Sequence, residues 1–305
     1  MTRLKRFAPF LSLILFAAAL WALHEALREH SLDDVVAELR SLSTRQIGIA
    51  MALTAVSYLL LIGYDLLALR HIGHRLPLAK VGLGSFVSYV FAHNIGFSLI
   101  TGGSMRYRVY GAEGLSSIDI AVVTLLCGIT FGLGASLLVG FALLVEPTGV
   151  LAVLPLPVPA LRALGVVCLV GVFGYMLWTA TRRGPIRFRS WTIRPPSLPL
   201  TLAQSALSVA DIALASGALY VLLPSENISF LAFLGVFNLA IVAGVLSHVP
   251  GGLGVVETVM LTLLPGQPAS GLLAALLAYR CLYYLVPLLF AGVLLAIYEA
   301  ASRSH

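Results

Sequence analysis

Charged residues are scarce in this sequence: 19 Lys and Arg and 13 Asp and Glu in 305 residues, or 10% of the chain. An ordinary soluble domain carries about 25%. That scarcity excludes a fold whose outer surface meets water all round. With 59% hydrophobic residues and a mean hydropathy of +0.99, most of the surface has to face lipid. Cysteine is scarce too. Cys127, Cys168 and Cys281 are odd in number, widely spaced and set in apolar stretches, which suits packed thiols better than a disulfide framework or a metal site. No cofactor is expected. The basic balance, net charge +6 and pI about 9.4, does not point to nucleic acid. A nucleic-acid footprint needs Lys and Arg gathered on one solvated face, whereas here they occupy short connections between apolar runs.

Crossing the hydrocarbon takes about 20 mostly apolar residues in a helix. Six runs qualify: 7–23, 47–69, 120–144, 163–180, 202–223 and 281–298. The first follows Arg3, Lys5 and Arg6 and is longer than the apolar part of a usual signal peptide, so a retained first helix is expected. Between the first two spans, Ser31-Leu-Asp-Asp is a helix start. Leu32, Val35, Val36, Leu39 and Leu42 then share one face, which predicts a short helix on the membrane surface.

Orientation follows from the basic connections. Arg3, Lys5 and Arg6, then Arg70, Arg75 and Lys80, then Arg182, Arg183, Arg187, Arg189 and Arg194 form three clusters expected on the cytoplasmic side. Residues 81–100 are apolar enough to cross, yet Arg106 and Arg108 follow them and the next span also starts inside. A re-entrant hairpin resolves the parity, with Thr101-Gly102-Gly103-Ser104 as its turn. Non-helical backbone at that depth survives only against protein or a wet cavity.

The segment Ser98-Leu-Ile-Thr-Gly102-Gly103 recurs as Ser247-His-Val-Pro250-Gly251-Gly252, and the same spacing aligns Arg108 with Glu257. Each copy follows an apolar helix holding an acid, Asp65 in one and Asp211 in the other. By the charge rule those two helices run in opposite directions, so a second hairpin is expected over 230–264, entering from outside. No Lys or Arg lies between Arg194 and Arg280, which agrees. The expected fold is an all-α polytopic membrane protein of about six full transmembrane helices plus two re-entrant hairpins, arranged as inverted repeats. Residues 1–46 hold the first helix and the interfacial helix, 47–180 the first repeat, 181–200 a basic cytoplasmic loop and 201–305 the second repeat. Such repeats with broken helices recur among transporters.

At Thr101-Gly-Gly-Ser-Met-Arg-Tyr-Arg-Val-Tyr110 and His248-Val-Pro-Gly-Gly-Leu-Gly-Val-Val-Glu-Thr258 the chain resembles the membrane domain of the lysylphosphatidylglycerol synthase and flippase family, the multiple peptide resistance factors, and its stand-alone relatives. The resemblance covers nearly the whole chain. It implies a translocase of aminoacylated phospholipids, above all aminoacylated phosphatidylglycerol, in the plasma (inner) membrane of a bacterial-type cell; the charge rule with the two hairpins puts both termini in the cytoplasm. The family's soluble aminoacyltransferase domain does not follow before His305, which leaves two readings open: a lipid made by a separate synthase partner, or a different phospholipid altogether. A homo-oligomer is a further expectation.

An ionisable residue at membrane depth costs roughly 2.5–3.5 kcal/mol on insertion scales and therefore needs a reason. Six are candidates for head-group binding: Asp65, Arg106, Arg108, Asp211, Glu257 and Arg280. Arg106 and Arg108 offer planar guanidinium forks that match phosphate oxygens. Asp65 and Asp211 offer charge to a cationic head group or to arginines of the hairpins, and Glu257 is expected to pair with Arg280. Gly102, Gly103, Pro250, Gly251 and Gly252 are the expected hairpin turns. The bland alternatives are structural pairing and ordinary interfacial charge. Three other functions are alternatives: an intramembrane aspartyl protease, disfavoured because Asp211 lacks a G-x-G-D setting; an ion- or proton-coupled small-solute transporter, which the inverted repeats suit equally well; and an accessory subunit of an aminoacyl-phospholipid synthase.

Overall fold

The computed structural model describes residues 32–96, 98–147, 156–182, 184, 186–188, 191–193, 195–224 and 228–303. The expected span at 7–23, with Arg3, Lys5 and Arg6, lies outside them, as do Ser31 and Arg183, Arg189 and Arg194 of the basic loop. The described chain is helical apart from one short antiparallel ribbon, β1 (Ile186–Phe188) with β2 (Trp191–Ile193), inside that loop.

Helix α1 (Leu32–Ser41) has Asp33 and Asp34 in its first turn and Arg40 in its last, charges that suit the helix dipole. Its apolar face docks Val35 against Leu273 and Ala274. Helix α2 (Thr44–His71) opens on a capping box between Ser43 and Gln46. Then come α3 (Leu78–Ile95), α4 (Ser98–Tyr110), α5 (Ser117–Val145) and α6 (Val158–Thr181). After the ribbon follow α7 (Leu198–Tyr220), α8 (Phe230–Ser247), a 3-10 turn (Pro250–Gly252) and α9 (Val255–Leu263). The chain closes with α10 (Ala269–Tyr279), a π-helical turn (Arg280–Leu285) and α11 (Val286–Arg303).

Among the described residues six helices are long and apolar enough to cross a membrane: Thr44–His71, Ser117–Val145, Val158–Thr181, Leu198–Tyr220, Phe230–Ser247 and Ala269–Ala301. The last departs from the expected span at 281–298. The helical run continues through Arg280 because that charge is met by a partner rather than by water, and the π turn absorbs the local change of register.

A second departure concerns the first hairpin. The chain does not turn at Thr101–Ser104, which lie inside α4. It breaks at Gly96, whose backbone stands at φ 78°, in the region open to glycine. Across the break α3 and α4 run antiparallel: Gly102 lies against Ala92 and Ser88, and Tyr110 against Gly84 and Val81. Gly102 thus serves close approach rather than a turn, since a Cβ there would come within 3.1 Å of Arg106 Nη1. The second break falls where expected, at His248 to Gly252, with His248, Gly251 and Gly252 all at positive φ.

Helix lengths run in the same order twice. A 28-residue α2, an 18-residue α3, a 13-residue α4 and a 29-residue α5 are echoed by α7 at 23, α8 at 18, α9 at 9 and the 33-residue run Ala269–Ala301.

Small residues let the long helices meet, as is usual where lipid removes the hydrophobic drive between helices. Gly140 of α5 faces Gly165 of α6, where a Cβ would stand 2.8 Å from the Gly140 carbonyl oxygen. Gly134 of α5 faces Ser208 of α7. Polar side chains are buried between helices, Gln204 Nε2 donating to Thr130 Oγ1 (2.8 Å) and Asn238 Nδ2 to the Ala135 carbonyl (2.8 Å). The outer surface of α6 is the reverse, with Val167, Val170, Phe173 and Leu177 exposed.

A Cβ at Gly134 would stand 2.1 Å from Ser208 Oγ, whereas one at Gly132 meets nothing within 4 Å. Gly134→Ala is therefore expected to lower stability by about 1–3 kcal/mol through overpacking, and Gly132→Ala to leave it unchanged. Thermal unfolding of the two variants in the same detergent checks this.

Candidate functional site

Among the described residues three acids are buried in the helical bundle: Asp65, Asp211 and Glu257. Two of them hold an arginine. Asp65, toward the C-terminal end of α2, is fully buried and receives Arg106 of α4 in a two-point contact, Nε to Oδ1 at 2.6 Å and Nη2 to Oδ2 at 3.0 Å. The fork geometry matches the carboxylate, which makes this the stronger kind of charged hydrogen bond. The guanidinium also lies over the Tyr89 ring, 4.9 Å from its centroid, and Cys127 Sγ approaches Asp65 Oδ1 at 3.8 Å.

Glu257, in the first turn of α9, takes the Arg280 Nε at 2.5 Å on one oxygen and the Gly254 backbone N–H at 2.8 Å on the other. Arg280 Nη1 donates to the Gly251 carbonyl at 3.0 Å, and the guanidinium stands over Tyr284 at 5.5 Å. This is the pairing expected from the sequence. Unlike Arg106, Arg280 keeps part of its side chain exposed, 15% against 3%.

The two helix breaks touch. A Cβ at Gly96 would lie 3.2 Å from the Val249 carbonyl oxygen and 3.3 Å from Pro250 Cα, and one at Gly251 would lie 3.5 Å from the carbonyls of His93 and Asn94. Asn94 also donates to the Tyr284 carbonyl at 3.3 Å. The tip of α3–α4 and the tip of α8–α9 therefore share one polar junction, with Arg280 beside it.

Asp211 of α7 stands apart from the arginines. Ser57 Oγ donates to its Oδ1 at 2.5 Å and the Tyr64 hydroxyl to its Oδ2 at 3.1 Å. Ser57 Oγ in turn lies 2.9 Å from the Tyr283 hydroxyl. Tyr58 donates to the Tyr283 carbonyl at 3.1 Å. His93 packs among Tyr58, Tyr89, Tyr283 and Tyr284 at ring separations of 6.0–6.2 Å.

Of the six charged candidates, Asp65 with Arg106 and Glu257 with Arg280 come together as pairs, and Asp211 takes only hydroxyl donors among the described residues. Arg108 points away, 56% exposed and paired with Glu299 of α11 at 3.1 Å. Gly102 and Gly103 lie in α4, and Pro250, Gly251 and Gly252 form the second break. Sequence reasoning missed the aromatic layer. Its signal was present in Tyr279-Arg-Cys-Leu-Tyr283-Tyr284, three aromatic residues in one stretch with a partly buried arginine.

An apolar groove of about 630 Å³ opens on the lipid-facing side between α2, α3 and α11, lined among others by Thr54, Tyr58, Gly82, Phe86, Val286 and Phe290. Tyr58 is the contact between this groove and the buried polar network.

Residues 10–291 match the family described as the lysylphosphatidylglycerol synthase TM region. The chain belongs to this family. Among relatives of the lysylphosphatidylglycerol synthase membrane region, an uncharacterized protein of Synechocystis is 36% identical over 302 residues, covering 97% of this chain and 93% of its own. Inner membrane protein YbhN of Escherichia coli is 35% identical, covering 83% of this chain and 80% of its own. A phosphatidylglycerol lysyltransferase of Staphylococcus haemolyticus matches over 81 residues at 38% identity, 26% of this chain and 10% of that enzyme. With six helices long and apolar enough to cross a membrane among its described residues, this member of the family is a multi-span membrane protein.

Breaking the Asp65–Arg106 contact leaves a buried charge with no partner, which costs about 3–5 kcal/mol, whereas replacing both partners with apolar residues of similar volume is often neutral. Asp65→Leu and Arg106→Met are each expected to destabilise strongly, and the double variant to recover most of the loss. Thermal unfolding of the four proteins in one detergent measures the coupling. Additive losses would contradict it.

Proposed function

We propose that this chain moves phospholipids between the leaflets of the plasma membrane, passing the head group at the junction of its two helix breaks. The observation that carries this reading is where those breaks sit. Each is a non-helical turn with polar backbone, yet each is flanked by exposed large apolar residues: Ile95, Leu99 and Ile100 beside the first, Val245, Leu246 and Leu253 beside the second. Such flanks suit hydrocarbon and not water, and exposed backbone at that depth is tolerated only against protein or a wet path.

On this reading α3–α4 and α8–α9 are re-entrant hairpins from opposite sides of the membrane. The repeated order of helix lengths supports a duplicated, inverted architecture, and both termini lie in the cytoplasm. Arg280 is the first contact for a lipid phosphate, being partly exposed beside the Gly251 carbonyl. Arg106 is sealed against Asp65 and holds α4 in place. The groove that reaches Tyr58 takes an acyl chain. Aminoacylated phosphatidylglycerol is the proposed cargo, supported by the partial match to phosphatidylglycerol lysyltransferases, and a separate synthase supplies it.

Reconstitution tests the proposal. Liposomes containing the chain and a fluorescent lysyl-phosphatidylglycerol are expected to expose the label to an impermeant quencher faster than protein-free liposomes. Arg280→Ala removes a charged hydrogen bond worth about 1.5–3 kcal/mol, so it is expected to slow exposure by about tenfold or more. Exposure no faster than in protein-free liposomes would refute the function, and movement of a water-soluble solute instead would favour a solute carrier.

A further inference from the structure

We propose that Asp211 is a proton-binding site, and that proton binding there is coupled through Ser57 and Tyr283 to the π turn that carries Arg280. The proton site stands on its own geometry; only the statement of what the proton drives rests on the lipid-translocation reading.

The argument begins with what Asp211 lacks. Asp65 and Glu257, equally buried, each hold an arginine. Among the described residues no Lys, Arg or His pairs with Asp211; it has Ser57 and Tyr64 hydroxyls. An ionised carboxylate without a counter-charge is expensive at membrane depth, and such acids mark proton relays in pumps and transporters. Tyrosines surround it. Tyr58 and Tyr64 come from α2, and Tyr279 and Tyr283 from the run that begins at α10. Cys127 of α5 lies beyond Tyr64. The buried ion pair of Asp65 with Arg106 is already closed on itself. His93 of α3 reaches only Tyr58 and the rings beside it. Helix α8 carries no titratable residue, and α6 meets α7 at Thr179 and Thr201.

The hydrogen bonds fit both forms of the carboxyl group. When Asp211 is ionised, Ser57 O–H donates to Oδ1 and the Tyr283 hydroxyl donates to Ser57 Oγ. When Asp211 is protonated, its O–H donates to Ser57 Oγ, and Ser57 turns its own proton to the Tyr283 oxygen. The 2.9 Å separation of Ser57 Oγ and Tyr283 permits either direction. One proton on Asp211 therefore reverses a two-bond chain that ends on Tyr283. Tyr283 lies in the π turn Arg280–Leu285, whose first residue holds Glu257 and the Gly251 carbonyl at the junction. A single π turn inside an α-helix is a frequent functional feature. The same π turn thus joins the proton site to the arginine at the tip of the second hairpin.

The test has two arms. In the first, the purified full chain is treated with dicyclohexylcarbodiimide, which modifies protonated carboxyl groups in apolar surroundings, and the modified peptides are identified by mass spectrometry from mildly acidic to alkaline pH. Modification is expected at Asp211, with loss as the pH rises. Ser57→Ala is expected to shift the pH at which it is lost while the protein elutes unchanged in gel filtration. Absence of modification at Asp211, or modification insensitive to pH, overturns the proton site. In the second, an imposed pH gradient is expected to accelerate lipid exposure in wild-type liposomes and to have no effect with Asp211→Asn. Wild-type transport indifferent to the gradient overturns the coupling. No wild-type transport at all would instead refute the lipid reading, and the modification arm would still decide the proton site.

Discussion

The two-point contact of Arg106 with Asp65 ties α4 to α2 with both partners out of reach of solvent. Neither charge could enter the bundle without the other, because the desolvation cost of each is repaid only by the close pair. Much of the surrounding structure follows from that requirement. Gly102 leaves the space the guanidinium needs, Tyr89 covers its face, and the short α4 is held against α3. Glu257 and Arg280 solve the same problem at the other break, where the Gly254 N–H completes the carboxylate and the Gly251 carbonyl takes a second guanidinium proton. The two solutions meet where Gly96 touches Val249 and Pro250.

The apolar spans were legible in the sequence because lipid imposes a length and a composition on any helix that crosses it. Four of the six expected runs correspond to helices of nearly the same bounds, and α1 formed where the alternation of Leu and Val with acids placed it. Glu257 and Arg280 were legible as a pair for the same reason that they are costly: each needed the other. The first turn was not. Thr101-Gly102-Gly103-Ser104 has the composition of a turn, but glycine serves both positive φ and close helix contact, and composition cannot separate the two uses. The actual break, Asn94-Ile-Gly96, carries the quieter signature of a glycine just past a helix end.

Arg280 misled in the opposite sense. A charge inside an apolar run suggests the end of a span, and the C-terminal helix was expected to start after it. Its partner lies 23 residues earlier, on another helix, so only the tertiary structure shows that the run from Ala269 continues through it. For a related reason the tyrosine layer as a whole was not legible, although its C-terminal part stands together at Tyr279, Tyr283 and Tyr284. Tyr58, Tyr89 and Tyr283 come from three separate segments, and each alone is an unremarked aromatic residue in an apolar helix. Tyr58 and Tyr283 join a polar layer between His93 and, through Ser57, Asp211, and Tyr89 packs its ring against His93, only once α2, α3 and the π turn are packed.

The central claim is that the two helix breaks meet inside the hydrocarbon. Spin labels at Ile95 and Leu246, exposed residues beside the two breaks, would report depth in reconstituted bilayers through their relative collisions with oxygen and with a water-soluble nickel chelate. The account predicts that both labels sit deep, with high oxygen and low chelate accessibility. Labels that fall at the head groups or in water, as they would at the ends of helices that pass straight through, would contradict it.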